Sequence, residues 1–266
     1  MNTAASVFLH STGTGPRLWS FVSASALAPD VRVMPCNLGY PPGAPVAQGE
    51  TVRLADEVAH VLAQLPPEGP IDLYGHSYGA TVALELVAAL GPRLRGLYLY
   101  EPVLFGALSR APEAHPEARD ELAYFQENSW FLEDLSRGGT DPWLAAFIDY
   151  WNRPGSFARM PPAMQAYTRS VGWKMFQEVR AVFYDVGAFA PAAPARVVTT
   201  LVLGARSTAS SRAMTRRVAA LTPHATLEVI DEIGHMGVIS HAPRLAESVM
   251  AHRARVLAAT LQPDVA

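Results

Sequence analysis

The pentapeptide Gly75-His76-Ser77-Tyr78-Gly79 stands between an apolar run, "IDLY", and a helical pattern, "TVALELVAAL". A serine in a turn that tight is held in a strained backbone conformation, while glycines on either side keep side chains out of the strand–helix crossing. Its Oγ would stand at the start of a helix, where backbone N–H groups face an incoming anion. The alternative reading is an ordinary glycine-rich turn, which the strand, pentapeptide and helix together disfavour. A serine hydroxyl becomes a useful nucleophile only when a base takes its proton. Of the eight histidines, His235 in "IDEIGHMGVISH" is the best placed, in a loop between the last strand-like run and the last helical one. His241 lies nearer that helix, and His10 and His76 suit packing or hydrogen-bonding roles.

These residues need a scaffold that brings distant loops to one edge. Strand-like runs are read at 6–11, 31–36, 71–75, 96–101, 197–204 and 225–230, alternating with helical patterns near 17–27, at 51–65 and 77–90, from about 210, and from Pro243. The first-turn position suits Pro243, which lacks an N–H. In 51–65 the apolar spacing assigns Ala55, Val58, Leu62 and Leu65 to the buried face. Nearly continuous apolar strands separated by helices predict an α/β fold, a mainly parallel six-stranded sheet with helices on both faces. Ligands bind such sheets at the carboxyl ends of the strands. Residues 102–190 interrupt the alternation with aromatic helical patterns. They are read as a helical cap inserted into a core formed by 1–101 and 191–266.

Composition narrows the function classes. The 266 residues are 50% hydrophobic and 17% charged, with a net charge of −3, which suits one large core and offers no basic stripe for nucleic acid. A single cysteine excludes an internal disulfide and a cysteine metal cluster. No run is long and apolar enough to span a bilayer, and "MNTAASVFLHS" lacks a signal peptide's basic region, so a cytoplasmic protein with no membrane partner is expected. No P-loop or dinucleotide fingerprint appears. The expectation is no cofactor and no metal, a small-molecule substrate as partner, and a monomer or homodimer.

"FLHSTGTG", "LYGHSYGA", "GHMG" and "LYEPVLF" together resemble the α/β-hydrolase superfamily, in a small bacterial form with a helical cap, from about residue 5 to about 257. The resemblance implies a serine hydrolase of a carboxylic ester, lactone or thioester of a largely apolar small molecule. It implies an oxyanion hole from the backbone N–H groups of Tyr78, after the nucleophile, and Thr12, since His10-Ser11-Thr12 matches the family's His-Gly-x with Ser11 in place of glycine. It also implies an Asp after the fifth strand, where this chain has only "LVLGARSTASS". Sorting the other acids by position leaves Glu101, at the carboxyl end of the fourth strand, where some family members carry the acid. Asp231 and Glu232 read as solvated loop residues, and Asp72 lies at the wrong strand end. A bare Ser–His pair, or Asp185 as the acid, stays open.

In the cap region, Trp130, Trp143, Trp151 and Trp173 read either as core or as a pocket lining. Trp151 and Trp173, with Met236 beside His235, are the candidate substrate contacts. Arg153, Arg159 and Arg169 could meet a lone carboxylate. The missing Asp leaves two other readings. One is a cofactor-free C–C hydrolase, lyase or cyclase with His235 as general base. The other is a non-catalytic ligand-binding protein.

Overall fold

The structure is a computed structural model and describes residues 4–22, 32–36, 38–40, 46–110, 112–185 and 193–261. Six strands form one wholly parallel sheet: β1 (Ala5–Leu9), β2 (Arg32–Cys36), β3 (Ile71–His76), β4 (Leu94–Tyr100), β5 (Val198–Gly204) and β6 (Thr226–Ile230), in the order β2-β1-β3-β4-β5-β6. The chain steps from β1 to β2, then returns to place β3 on the other side of β1. The reversal makes β1 and β3 neighbours, and the loops after them open a crevice at their carboxyl ends.

Alternation along the strands sorts the core into two layers. Val7, Leu9, Leu73, Leu97, Leu99 and Leu201 point to one side, while Phe8, Tyr74, Tyr98, Tyr100 and Val202 point to the other. On the second side Phe8 stacks on Tyr74 with ring centroids 4.4 Å apart. Each fully buried side chain of this size contributes about 1.5–3 kcal/mol of transfer free energy.

The helices are α1 (Leu54–Leu62), α2 (Tyr78–Leu90), α3 (Phe105–Ser109), α4 (Arg119–Glu127), α5 (Trp130–Glu133), α6 (Asp141–Trp151), α7 (Pro162–Tyr184), α8 (Ala209–Leu221), α9 (Gly237–Ser240) and α10 (Ala242–Leu261). Five of them, α3 to α7, lie between β4 and β5. Pro243 stands in the first turn of α10. Among the described residues no helix is long and apolar enough to cross a membrane.

Two sequence expectations change. The helix expected near 17–27 is a single 3₁₀ turn, Pro16–Trp19, whose Trp19 donates its indole N–H to the Leu9 carbonyl at 3.0 Å; positions 23–27 lie outside the described residues. Helix α1 is rotated in part from the expected face: Leu65 is buried and Val58 packs half-buried on the core as expected, but Leu54, Glu57 and Val61 are buried while Ala55 and Leu62 are exposed. The reason is polar. Glu57 forms a close ion pair with Lys174 of α7, so the buried face includes a carboxylate that apolar spacing leaves outside it.

Candidate active site

Ser77 caps the N-terminus of α2 with φ 56° and ψ −120°, in the left-handed half of backbone space. For a non-glycine residue this costs of order 1–3 kcal/mol and persists only where the surroundings enforce it. They do so here. Ser77 N–H donates to the Tyr100 carbonyl at 2.9 Å. A methyl group on Gly75 would lie 2.5 Å from the Ala80 Cα, and one on Gly79 would lie 2.5 Å from the carbonyl oxygens of Leu9 and His10. Both glycines are therefore required by the close approach of β1, β3 and α2.

His235 Nε2 lies 3.0 Å from Ser77 Oγ, and His235 Nδ1 lies 2.6 Å from Glu101 Oε2. Glu101 follows β4 and, like Ser77, has positive φ, at 47°. Its carboxylate is fully buried and has three further donors. Gly204 N–H and Ser207 O–H meet Oε1 at 2.7 and 2.5 Å, and Ser211 O–H meets Oε2 at 2.7 Å. Burial opposes its ionisation, but His235, Ser207 and Ser211 outweigh burial and hold the carboxyl below its ordinary value.

The loop carrying His235 is fixed from below. His76 Nε2 donates to the His235 carbonyl at 2.8 Å, and burial, with the His235 ring nearby, holds His76 well below the ordinary histidine range. The Tyr100 hydroxyl donates to the Gly234 carbonyl in a close hydrogen bond and accepts from Gly237 N–H at 3.2 Å. From above, the Trp151 ring stacks on the His235 ring with centroids 4.0 Å apart and planes 26° apart.

The loop after β1 faces Ser77 across the crevice. His10 Nε2 accepts from Leu38 N–H at 3.0 Å, which leaves the proton on Nδ1 to donate to the Ser11 carbonyl at 3.0 Å. Gly13 N–H donates to the Tyr40 hydroxyl at 2.9 Å, and that hydroxyl donates to Glu178 Oε2 at 2.7 Å. Lys174 pairs with both Glu178, at 3.1 Å, and Glu57. Burial and the neighbouring Glu178 push Glu57 up to about 7 despite Lys174. Tyr78 is the first residue of α2, so its N–H has no acceptor within the helix. Tyr78 and Thr12 both border the cavity over Ser77. The arrangement can deprotonate the serine, stabilise the imidazolium through Glu101 and present backbone donors to a developing oxyanion.

The other sequence candidates fall on both sides. Trp151 and Met236 line a cleft of about 840 Å³ that reaches Ser77 and His235. Trp173 does not line it. Its indole N–H donates to the Glu50 carbonyl at 2.8 Å and its ring packs on Phe176, so the expected substrate contact is a packing residue on the outer side of α7. Trp143 is wholly buried, with its N–H on the Phe131 carbonyl. Asp185 accepts from Leu54 N–H at 3.3 Å, at the end of α7. Asp231 and Glu232 are exposed, and Arg169 pairs with Asp141 at the surface. Sequence reasoning missed Ser207, Ser211, Tyr40 and Glu178. The first two stand in "ARSTASS", whose run of hydroxyls is the signal that marks them; nothing local marks the other two.

No protein of curated function matches the sequence. Solved structures do. A hydrolase from Pseudomonas aeruginosa is 19% identical, with 94% of this chain and 89% of that one covered at a TM-score of 0.63. The enol-lactonase from Burkholderia xenovorans is 17% identical, with 95% and 92% covered at 0.64. A thermophilic esterase from Thermogutta terrifontis is 19% identical, with 96% and 91% covered at 0.65. At these identities the likeness is one of fold. Residues 7–248 match the profile of the Alpha/beta hydrolase family, so the crevice between β1 and β3 and the residues around Ser77 belong to a member of that family.

Proposed function

We propose that the protein is a serine hydrolase that cleaves a carboxylic ester, lactone or thioester of a largely apolar small molecule through an acyl-enzyme. The observation that carries this reading is the unbroken chain Ser77 Oγ to His235 Nε2 at 3.0 Å and His235 Nδ1 to Glu101 at 2.6 Å. Ser77 attacks the carbonyl carbon as His235 takes its proton. The N–H groups of Thr12 and Tyr78 receive the oxyanion, and the imidazolium then protonates the leaving oxygen or sulfur. Water, deprotonated by His235, releases the acyl group. Glu101 keeps the Nδ1 proton in place throughout. Helices α3 to α7 act as the cap, and with the β1 loop they supply the apolar walls.

The lyase and binding-protein readings rested on the absent acid; Glu101 beside His235 supplies a carboxylate from the neighbouring strand end, which supports the triad of the hydrolase reading. Neighbours named as an esterase and an enol-lactonase are consistent with ester or lactone chemistry. The test is rapid-quench mass spectrometry during turnover of a p-nitrophenyl ester. An acyl group on Ser77, with no turnover by Ser77→Ala or His235→Ala, is expected. Turnover retained by Ser77→Ala would contradict nucleophilic catalysis.

A further inference from the structure

Two chambers meet at Ser77, and they differ in size and in which catalytic groups they touch. The larger is the cleft of about 840 Å³ lined by both Ser77 and His235. The smaller is walled by Val103, Phe105, Phe125, Val179, Val182 and Phe183 and has a cavity volume of about 20 Å³. Tyr78 lines the smaller chamber, and His235 does not. A single water needs a cavity of roughly 10–15 Å³.

The proton path assigns the two halves of a substrate. In the tetrahedral intermediate the oxyanion points at the backbone donors, and the leaving oxygen must lie within reach of His235 Nε2. The leaving group therefore occupies the chamber that His235 lines. The acyl chain takes the remaining direction, into the small chamber, whose small volume and aromatic and valine walls favour a short chain. The small chamber's charged wall residue is Glu178, already paired with Lys174. It offers no free charge to an acyl carboxylate.

The large chamber's walls include Leu18, Met160, Met164, Tyr167, Met236 and Ile239. Met164 and Ile239 are more than half exposed, at 53% and 62%, so the apolar lining continues to the surface. Methionine-rich walls adapt to varied apolar shapes. We infer that the substrate is a short-acyl ester, an acetate or propionate, of a large apolar alcohol: acyl length is restricted by the aromatic chamber, while the alcohol supplies the binding surface. The inference rests on the serine-hydrolase reading. In the reaction the ester C–O bond breaks and the alcohol leaves with the proton from His235; water then cleaves the acyl–Ser77 bond to give acetate or propionate.

The experiment measures kcat/KM by pH-stat on two ester series, with fluorophosphonate labelling of Ser77 in parallel. Hexyl acetate, butyrate, hexanoate and octanoate vary the acyl chain at a fixed alcohol. Ethyl, butyl, hexyl and decyl acetate vary the alcohol at a fixed acyl group. The expected result is a fall of about tenfold or more from acetate to hexanoate, and a rise of about tenfold or more from ethyl to hexyl acetate. Val182→Ala, or Val103→Ala if the first is unstable, should raise the hexanoate-to-acetate ratio severalfold. Hexanoate turned over as well as acetate, or ethyl acetate as well as hexyl acetate, would overturn the assignment. Labelled Ser77 without turnover of either series would overturn the substrate class and leave the serine reading standing. Neither labelling nor turnover would overturn both.

Discussion

Ser207 Oγ donates to Glu101 Oε1 at 2.5 Å, so the loop after β5 supports an acid carried by the end of β4. The sequence resemblance places an Asp in that β5 loop, yet here the loop gives hydroxyl and amide donors and the neighbouring strand gives the carboxylate. Adjacent parallel strands end at the same sheet edge, so one histidine can be approached from either.

Glu101→Gln should lower kcat by two to four orders of magnitude, because the amide favours the wrong tautomer of His235. Asp231→Asn should change kcat less than about threefold, since Asp231 is exposed and makes no contact with His235. Steady-state kinetics on one p-nitrophenyl ester checks both. Small and equal effects would remove Glu101 from the proposed triad.

Tyr40→Phe deletes the hydroxyl that accepts from Gly13 N–H and donates to Glu178. The backbone beside Thr12 then loses an anchor. The expected outcome is a fall of about tenfold in kcat with KM changed less than threefold, because the oxyanion contact matters most in the transition state. An effect confined to KM would show that Tyr40 shapes the pocket and does not position the loop.

Trp151→Ala removes the ring stacked on His235 and a wall shared by both chambers, so kcat/KM should drop by at least about tenfold. Trp173→Ala should lower thermal stability through lost packing on Phe176 and leave kcat/KM within about threefold. Comparing the two variants by kinetics and thermal melting separates the roles.

His252 gives a pH prediction away from the site. It is wholly buried, its Nδ1 meets Thr200 Oγ1 at 2.8 Å, and burial, with Arg255 nearby, lowers it to about 3. The unfolded chain therefore binds a proton below about pH 6.5 that the folded chain does not bind until about pH 3. Stability contributed by neutral His252 is complete above pH 6.5 and declines as pH falls, by up to about 1.4 kcal/mol per unit. Glu57, raised to about 7, acts in the opposite direction: between about pH 4.5 and 7 the fold holds a proton that the unfolded chain releases, and stability falls as pH rises. Denaturation of wild type and His252→Asn from pH 4 to 8 isolates the histidine. The difference between the two curves should slope across pH 4–6.5 and be flat above it.

The strand pattern and the Ser77 turn were legible because local signals carry them: apolar runs of strand length, and glycines where a Cβ would collide with backbone. Glu101 was legible as a costly acid closing an apolar strand that needed a buried partner. The face of α1 was not, because Glu57 is buried only through Lys174, more than a hundred residues away. Trp173 was misassigned for a related reason. Aromatic spacing on α7 does not say which side of the helix meets the crevice, and the Glu50 carbonyl that receives its N–H lies in a loop without a motif. Tyr40 and Glu178 meet only in three dimensions.

The central claim is that Ser77 is an activated nucleophile. Treating the folded protein with a fluorophosphonate and recording its intact mass, beside Ser77→Ala, tests it most directly. One phosphonyl adduct on the wild type and none on the variant is the predicted result. No adduct on folded wild type after long incubation, or an equal adduct on Ser77→Ala, would contradict it.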